Sequence, residues 1–304
     1  MSATAVADSR TIVIPRRLGA YRIAAKIGKG GMNHVFRAVH GVLNREVALK
    51  VLPPHHRADR ERMLRFKREA RAGAAVDHPN VATCFDAGRH GDWCYVAMEL
   101  IPGGDLEAER ERRGGRLSER LAIALTRDTA YGLEAVHAAD LVHRDVKPAN
   151  ILLGANLTPK LADFGIAICP HEQHDAEVIG SPAYMAPEQI AGHPVDARSD
   201  IYALAATCFH LVTGERPFRR NLRAIGRAPL APEAAPSCRA LRPGLSAGLD
   251  ALLRRALDPQ PQRRPASARA FAEALDRLLH AGPSAPVAAP SGERPADDLV
   301  LACF

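Results

Sequence analysis

The segment at residues 143–150, HRDVKPAN, constrains the fold and chemistry of this chain more than any other feature. It places an aspartate, a lysine two residues later and an asparagine five residues later in one short loop. Asp145 can accept the proton of a hydroxyl group, Lys147 can neutralise a phosphoryl group in transfer, and Asn150 can bind a divalent cation. The loop is therefore predicted to be a site of phosphoryl transfer.

Four further motifs surround this loop in a fixed order along the chain. They are IGKGGMNHV at 27–35, VALK ending at Lys50, DFG at 163–165 and APE at 186–188. Glycines in the first motif allow backbone N–H groups to come close to a triphosphate. Lys50 is predicted to pair with Glu69 on the next helix and to face the α- and β-phosphates, while Asp163 holds Mg²⁺. Five motifs in this order make a chance match negligible.

Lysine usage supports the same interpretation independently of the motifs. The chain has 6 lysines against 35 arginines. Lysine nevertheless stands at positions 50 and 147, where a compact point charge is needed near phosphates. The planar guanidinium of arginine would not replace it there.

Hydrophobic periodicity divides the chain into a β-rich part followed by a helical part. In the string REVALKVL, at 45–52, apolar residues alternate as in a half-buried strand. Strands are predicted between residues 21 and about 52 and at 94–100, and helices at 57–76, 117–138, 201–213, 249–257 and 268–280. The pattern predicts an α+β chain in which a small β-rich lobe precedes a larger α-helical lobe.

The two ends of the chain differ in composition from the rest. Residues 1–17 are expected to be a flexible leader, and residues 281–304 a Pro/Ala-rich tail that includes the apolar string LVLACF. The most apolar long stretch, 201–212, contains His210 and is shorter than the roughly 20 residues that cross a bilayer. Because no secretory signal is recognisable either, a cytoplasmic protein without a transmembrane segment is expected.

Charge and cysteine content favour no further ligand. The net charge is +7, but arginines are dispersed along the whole chain, so compositional bias explains the charge better than a nucleic-acid surface. The six cysteines form no C-x-x-C pair. Reduced, mostly buried thiols are therefore expected, rather than a zinc site or a disulfide framework.

Taken together, the motifs resemble those of the bacterial eukaryotic-like serine/threonine protein kinases, over about residues 18–280. The resemblance implies a bilobal protein kinase fold, with an N-lobe at about 18–101 and a C-lobe at about 102–280. It implies ATP and Mg²⁺ between the lobes, with Mn²⁺ as an alternative metal, and protein substrates with serine or threonine acceptors. The lysine two residues after Asp145 is typical of serine/threonine kinases rather than tyrosine kinases.

The resemblance also implies a set of site residues. Met98 would be the gatekeeper, and Glu99 and Ile101 would offer backbone groups to adenine. Glu188 resembles the residue that pairs with a late arginine, here Arg264. The expected catalytic residues are Lys50, Glu69, Asp145 and Lys147, and the expected metal ligands are Asn150 and Asp163. The expected cofactor-binding residues are Ile27, Gly28, Lys29, Gly30, Gly31, Met32, Asn33, His34, Val35, Ala48, Lys50, Met98, Glu99, Ile101 and Leu152.

The chain departs from the family pattern at three places. Asn33 replaces a loop glycine, and Ile168 stands where a basic residue is usual. The segment at 166–188 contains no threonine and a single serine, Ser181. That serine resembles the family residue that packs beside the catalytic aspartate, and Asp200 resembles the residue that braces the catalytic loop.

These departures predict activity that does not require phosphorylation between DFG and APE, since Asp175 and Glu177 stand at the usual acceptor positions. A carboxylate has one charge and two oxygens, against nearly two charges and three oxygens for a phosphate. Pairing with Arg144 would therefore contribute only about 0–1 kcal/mol. Enzyme made without exposure to ATP, and shown by mass spectrometry to be unmodified, should reach its full rate without a lag.

Two controls accompany this prediction. The double variant Asp175→Ala, Glu177→Ala should be slower than wild type, and Arg144→Ala should add little to that loss. If both acids instead lie in solvent, the double variant keeps wild-type activity. A lag that disappears as Ser181 or Tyr184 becomes phosphorylated would contradict the prediction.

Three other functions compete with phosphoryl transfer to proteins. A pseudokinase acting as a nucleotide-binding scaffold would be favoured by loss of Lys50, Asp145 or Asp163, and all three are present. A small-molecule phosphotransferase is disfavoured by the long segment that ends in APE, which shapes a peptide platform. A nucleic-acid binder is supported by net charge alone.

Overall fold

The computed structural model describes residues 14–29, 34–54, 59–164, 181–218 and 234–281. Its first part is an antiparallel sheet of six strands in the order β1-β2-β3-β4-β6-β5. The strands are β1 (Arg17–Leu18), β2 (Tyr21–Lys29), β3 (His34–His40), β4 (Glu46–Leu52), β5 (Cys84–His90) and β6 (Trp93–Glu99). The β-rich N-terminal part that the alternation predicted is confirmed, with Arg17 already in a strand.

Strand β4 shows how the sequence builds this sheet. Val47, Leu49 and Val51 are buried to within 1% of full burial on one face, as the alternation of REVALKVL predicts. Helix α1 (Arg60–Ala75) packs over the sheet and begins after Asp59, whose side chain accepts a hydrogen bond from the Arg62 N–H. This N-cap fixes the start of the helix that later presents Glu69.

The second part of the chain is helical. Its helices are α2 (Leu106–Arg112), α3 (Glu119–Ala138), α4 (Pro187–Ile190), α5 (Ala197–Thr213), α6 (Cys238–Leu241), α7 (Ala247–Ala256) and α8 (Ala268–His280). Helix α5 is buried along almost its whole length and lies at the centre of the larger core. It ends at Gly214, whose φ of 83° is the left-handed conformation that glycine adopts without strain.

A short hairpin lies between the two parts. It consists of β7 (Ile151–Leu153) and β8 (Pro159–Leu161), and the backbone of Val81 bridges to Leu161. HRDVKPAN immediately precedes β7 and DFG follows β8, so both motifs lie at the same end of the hairpin. The architecture is the bilobal α+β protein kinase fold that the resemblance implied.

Two bulk features of the described residues complete the fold. None of the helices in that part of the chain is both long and apolar enough to cross a membrane. Four of the six cysteines lie there, and all four are free thiols: Cys84, Cys94, Cys208 and Cys238. Two of these, Cys208 and Cys238, are buried, as expected for structural thiols.

Candidate active site

The first cluster of charged side chains joins the sheet, α1 and the DFG motif. The Lys50 ammonium contacts the Glu69 carboxylate and lies 3.0 Å from Asp163 Oδ1. Glu69 is buried, whereas the Asp163 side chain is about half exposed. Burial acts to lower the pKa of Lys50, but the two carboxylates outweigh it and raise the pKa. Lys50 is therefore a fixed positive charge facing the cleft.

The second cluster is the HRDVKPAN loop itself. Lys147 Nζ donates to Asp145 Oδ2 at 2.6 Å and to Ser181 Oγ at 2.8 Å. The Ser181 N–H donates to Asp145 Oδ1 at 3.1 Å. Asn150 Nδ2 donates to the Asp145 carbonyl at 2.8 Å and to its carboxylate at 2.9 Å. The structure thus brings Asp145, Lys147 and Asn150 into one network with Ser181, which lies between DFG and APE in the sequence.

The buried carboxylate of Asp200 braces the HRDVKPAN loop by accepting hydrogen bonds from its backbone. Asp200, on α5, accepts the backbone N–H groups of His143 and Arg144, each at 2.8 Å, and His137 Nε2 lies 2.9 Å from it. Arg144 has a φ of 69°, a conformation that costs energy for a residue with a side chain. The two hydrogen bonds to Asp200 stabilise it and so position Asp145.

His143 links the loop to DFG. The Asp145 N–H donates to His143 Nδ1 at 3.3 Å, so the ring proton is on Nε2, which donates to the Ala162 carbonyl at 3.1 Å. The ring also lies 5.0 Å from that of Phe164. Asp163, between Ala162 and Phe164, adopts a φ of 65°. The positions of the two acidic residues, Asp145 and Asp163, are thereby coupled through one buried imidazole.

The APE motif anchors the helical part of the chain to the same loop. Glu188 forms two hydrogen bonds with the guanidinium of Arg264, at 2.6 and 2.8 Å. The next residue, Gln189, donates from Nε2 to the Arg144 carbonyl at 2.9 Å. The family resemblance implied the ion pair, whereas Gln189 and His137 carried no signal of their own in the sequence.

Apolar side chains line the expected adenine site. Val35, Ala48, Met98 and Leu152 are each partly buried, and Ile27 is 49% exposed. Strand register explains the grouping, because Val35 lies opposite Gly28 and Ala48 lies opposite Met98. Glu99 is the last residue of β6 and Ile101 lies on the connection to α2; the Glu99 N–H donates to the Thr83 carbonyl at 2.9 Å.

The oxygen ligands near DFG fit a magnesium ion carried by a nucleotide. Among the described residues there is no group of three His, Cys, Asp or Glu side chains that could hold a metal. Mg²⁺ bound with a nucleotide needs only one or two protein oxygens in addition to phosphates and water. Asn150 uses its amide nitrogen toward Asp145, which turns its side-chain oxygen the other way. Asp163 and Asn150 therefore suit such an ion.

Several predicted residues lie outside the described part of the chain. They are the four glycine-rich loop residues Gly30, Gly31, Met32 and Asn33, together with Gly165, Ile168, Asp175 and Glu177. Lys29 and His34 are at the ends of β2 and β3, on either side of the glycine-rich loop. The predictions for these loop positions and for the segment after DFG stay predictions.

Comparison with known proteins shows which protein family this chain belongs to. Residues 21–275 match the protein kinase domain family, and the chain belongs to this family. It is 41% identical over 209 residues to serine/threonine-protein kinase PknA of Mycobacterium tuberculosis, covering 66% of this chain and 48% of that protein. It is 35% identical over 284 residues to serine/threonine-protein kinase Pkn1 of Myxococcus xanthus, covering 90% of this chain and 40% of that protein.

Solved structures agree with the fold. The crystal structure of the Mycobacterium tuberculosis PknI kinase domain aligns with a TM-score of 0.69 at 35% identity, covering 86% of this chain and 97% of that chain. The chain spans about half the length of the curated relatives that it matches. The resemblance to bacterial eukaryotic-like serine/threonine kinases is confirmed.

The brace at Asp200 yields a stability prediction. In Asp200→Asn one acceptor becomes an NH₂ group facing donors, so the variant should lose about 1–3 kcal/mol of unfolding free energy. Asp196→Asn is the control, because Asp196 caps the same helix and asparagine caps equally well. Chemical denaturation at pH 7 measures both. Equal stability of the two variants would contradict the assigned brace.

The loss of unfolding free energy in Asp200→Asn should also depend on pH. Burial acts to raise the pKa of Asp200, but His137 and the backbone donors outweigh it and lower the pKa. A carboxyl group whose pKa is lower in the folded state stabilises the fold at pH values above its pKa in the unfolded chain, which is about 3.9. The stabilisation is lost as pH falls through the lower folded pKa. The difference between wild type and Asp200→Asn should therefore shrink below about pH 4.

Proposed function

We propose that this protein transfers the γ-phosphoryl group of ATP to serine or threonine hydroxyls of protein substrates. The observation that carries the proposal is the Asp145–Lys147–Ser181 network beside the Lys50–Glu69–Asp163 cluster. Asp145 can accept a hydroxyl proton, and the cations Lys147 and Lys50 can contact the phosphates of the nucleotide. Phosphoryl transfer needs little more than such positioning and charge stabilisation.

Each side chain has a defined task in this proposal. Asp145 orients the acceptor hydroxyl and takes its proton. Lys147 neutralises the phosphoryl group in transfer, and it already lies within 2.6 Å of Asp145. Lys50, held by Glu69, binds the α- and β-phosphates. When bound, Mg²⁺ supplies charge neutralisation between the phosphates, with Asp163 and Asn150 as its protein ligands.

The adenine ring is proposed to lie between the lobes. Val35 and Ala48 cover it from the sheet and Leu152 from the β7–β8 hairpin, because all three are apolar and partly buried at the cleft. Backbone groups of Glu99 and Ile101 bind its edge.

We further propose that the protein is located in the cytoplasm, that its N-lobe ends at about residue 101 and that its C-lobe ends at about residue 280.

The test is transfer of radiolabel from the γ-position of ATP to a generic acceptor such as casein, followed by phosphoamino acid analysis. We expect labelled phosphoserine or phosphothreonine in the presence of Mg²⁺ and none after chelation. Parallel reactions with Mn²⁺ establish the metal preference. The matched control is Arg71→Met, on the exposed side of α1, against Lys50→Met in the cleft.

Two outcomes would contradict the proposal. Binding of ATP without any transfer would support the nucleotide-binding scaffold instead. Equal labelling by Lys50→Met and wild type would show that the assembled cluster does not serve ATP.

A further inference from the structure

An ion pair joins the end of strand β6 to the β7–β8 hairpin. Lys160 Nζ, on β8, lies 2.9 Å from Glu99 Oε2, and the two side chains are only 17% and 28% exposed. Lys160 belongs to none of the motifs and has no task in the proposed phosphoryl transfer. It is nevertheless one of only 6 lysines in the chain. Because the pair is largely shielded from water, it is not one of the exposed pairs that contribute little.

The Glu99 side chain is held from a second direction. Its Oε2 atom also accepts a hydrogen bond from the Thr83 N–H at 3.3 Å, and the Glu99 N–H donates to the Thr83 carbonyl at 2.9 Å. The same carboxylate oxygen thus serves both Lys160 and the backbone of Thr83. Its position is fixed by two residues that are not assigned to the nucleotide site.

The segment that leads to Thr83 is itself bonded to β8 on both sides of Lys160. Asn80 is buried, and its Nδ2 atom donates to the Pro159 carbonyl at 2.9 Å. The Leu161 N–H donates to the Asn80 carbonyl at 2.8 Å. The end of β6, residues 80–83 and β8 therefore hold one another, and the ion pair closes this unit.

The connection from β6 to α2 is attached to the same hairpin further along, by backbone hydrogen bonds. The Gly103 N–H donates to the Leu153 carbonyl at 3.0 Å, and the Leu153 N–H donates to the Gly104 carbonyl at 2.8 Å. A side chain at Gly103 would place its first carbon 2.3 Å from the Leu153 carbonyl oxygen, so this approach requires glycine. The backbone from Glu99 to Gly103 is thus tied to the hairpin at both ends, and Ile101 lies between the ties.

Strand pairing places Lys160 on the same face of the hairpin as a residue of the proposed adenine site. Lys160 lies opposite Leu152 in the register of β7 and β8, and the side chains of opposed residues share one face of a sheet. Leu152 is proposed to cover the adenine ring, whereas Glu99 and Ile101 are proposed to bind its edge. The ion pair therefore connects the two sides of that site.

We propose that Lys160 is a positioning residue for the base of the nucleotide. By holding Glu99, it fixes the backbone of residues 99–101 relative to Leu152, so that the edge and the face of adenine are contacted together. Loss of the ion pair leaves the connection tied to the hairpin only at its far end, near Gly103. A backbone that must be ordered on binding holds a rigid ring more weakly. The inference rests on the proposed function, because it assigns these residues to ATP.

Binding of adenosine, which has the base but no phosphate, tests the inference without an activity measurement. The Kd values of adenosine and of MgATP are measured by isothermal titration calorimetry for wild type, Lys160→Met, Glu99→Gln and the double variant. Glutamine keeps an oxygen for the Thr83 N–H, so Glu99→Gln removes mainly the charge. The matched control is Arg89→Met, which breaks an exposed ion pair in the β5–β6 turn.

Lys160→Met should raise the Kd of adenosine and of ATP by the same factor, about fivefold, an effect within the range measured for residues of one ion-pair network. Glu99→Gln should act similarly, and the double variant should bind no more weakly than either single variant, since all three lack the same pair. Lys50→Met should weaken ATP binding alone, because adenosine has no phosphates. Arg89→Met should bind both ligands as wild type does.

Four results would overturn the inference. Three concern binding: wild-type adenosine affinity in Lys160→Met, a loss confined to ATP in that variant, and single effects that multiply in the double variant. The fourth is a loss of unfolding free energy in Lys160→Met far larger than in Arg89→Met, measured in urea without nucleotide, which would assign the pair to the fold instead. If wild type bound neither ligand, the proposed function itself would fail, so the two failures are distinguishable.

Discussion

Asp145→Asn is expected to lower kcat by about 10²–10⁴-fold, the usual contribution of a general base, while ATP binding persists. The amide cannot accept the hydroxyl proton. It also disturbs the network, because both Asp145 oxygens accept hydrogen bonds, from Lys147, Asn150 and the Ser181 N–H. One of these donors would face the NH₂ group of the variant, so the position of the acceptor hydroxyl is lost as well.

Separate measurements of transfer and binding check this expectation. Steady-state rates give kcat, and titration with a fluorescent nucleotide gives the Kd. The nucleotide Kd should change little, because Lys50 and Asp163, 3.0 Å apart, remain in place. Asp92→Asn, in the exposed β5–β6 turn, is the matched control and should keep wild-type kcat. Equal phosphorylation by Asp145→Asn and wild type would show that another group takes the proton.

The HRDVKPAN loop shows how much of the candidate site could be predicted from the sequence alone. HRDVKPAN, DFG and VALK predicted the charged residues of the candidate site, because phosphate chemistry requires aspartate, asparagine and lysine at fixed spacings. The Lys50–Glu69 pair was predictable, since one is on a strand and the other on the following helix. The Asp200 contacts with His137 and His143 join positions 63 and 57 residues apart. The resemblance indicated that Asp200 braces the catalytic loop, but no local pattern encodes such a separation, so His137 and the His143 N–H became evident as its partners only in the folded chain.

Two of the elements that the periodicity did not predict, β5 and α2, escaped it for a physical reason. Strand β5 is an edge strand and mostly exposed, so burial imposes no alternation on it. Helix α2, with the sequence LEAERER, has only two buried residues. Its stability comes from the Asp105 cap and from arginine–glutamate pairs along its length. Charge pairing of this kind leaves no hydrophobic signal.

His210 illustrates how a polar residue is accommodated in a core helix. In the sequence it interrupts the apolar run of α5, yet it is buried, with Nδ1 2.8 Å from the Tyr184 hydroxyl. Burial lowers the pKa of His210 to about 4, so the imidazole is neutral at pH 7. A neutral, hydrogen-bonded ring is tolerated where a charged one would not be. The helix prediction was therefore confirmed despite this residue.

The second large effect is expected at the ion pair between the APE motif and the end of the fold. The Arg264 side chain is fully buried, donates twice to Glu188, and lies 4.8 Å from the centre of the Tyr202 ring. Ser199 Oγ donates to the same carboxylate at 2.6 Å. Burial acts to raise the pKa of Glu188, but Arg264 outweighs it and lowers the pKa. The pair is thus ionised within the core.

Glu188→Gln should lower the free energy of unfolding by about 3–5 kcal/mol, because it leaves a buried guanidinium without its counter-charge. Replacing both partners, in Glu188→Met, Arg264→Met, removes the unpaired charge and should cost less than the sum of the single changes. Asp92→Asn, which breaks an exposed pair, should cost only about 0–1 kcal/mol. Urea denaturation of wild type, these three variants and the two single variants Glu188→Met and Arg264→Met provides the comparison. If Glu188→Gln were as mild as Asp92→Asn, or if the single changes simply added, the ion pair would not hold APE against the helical core.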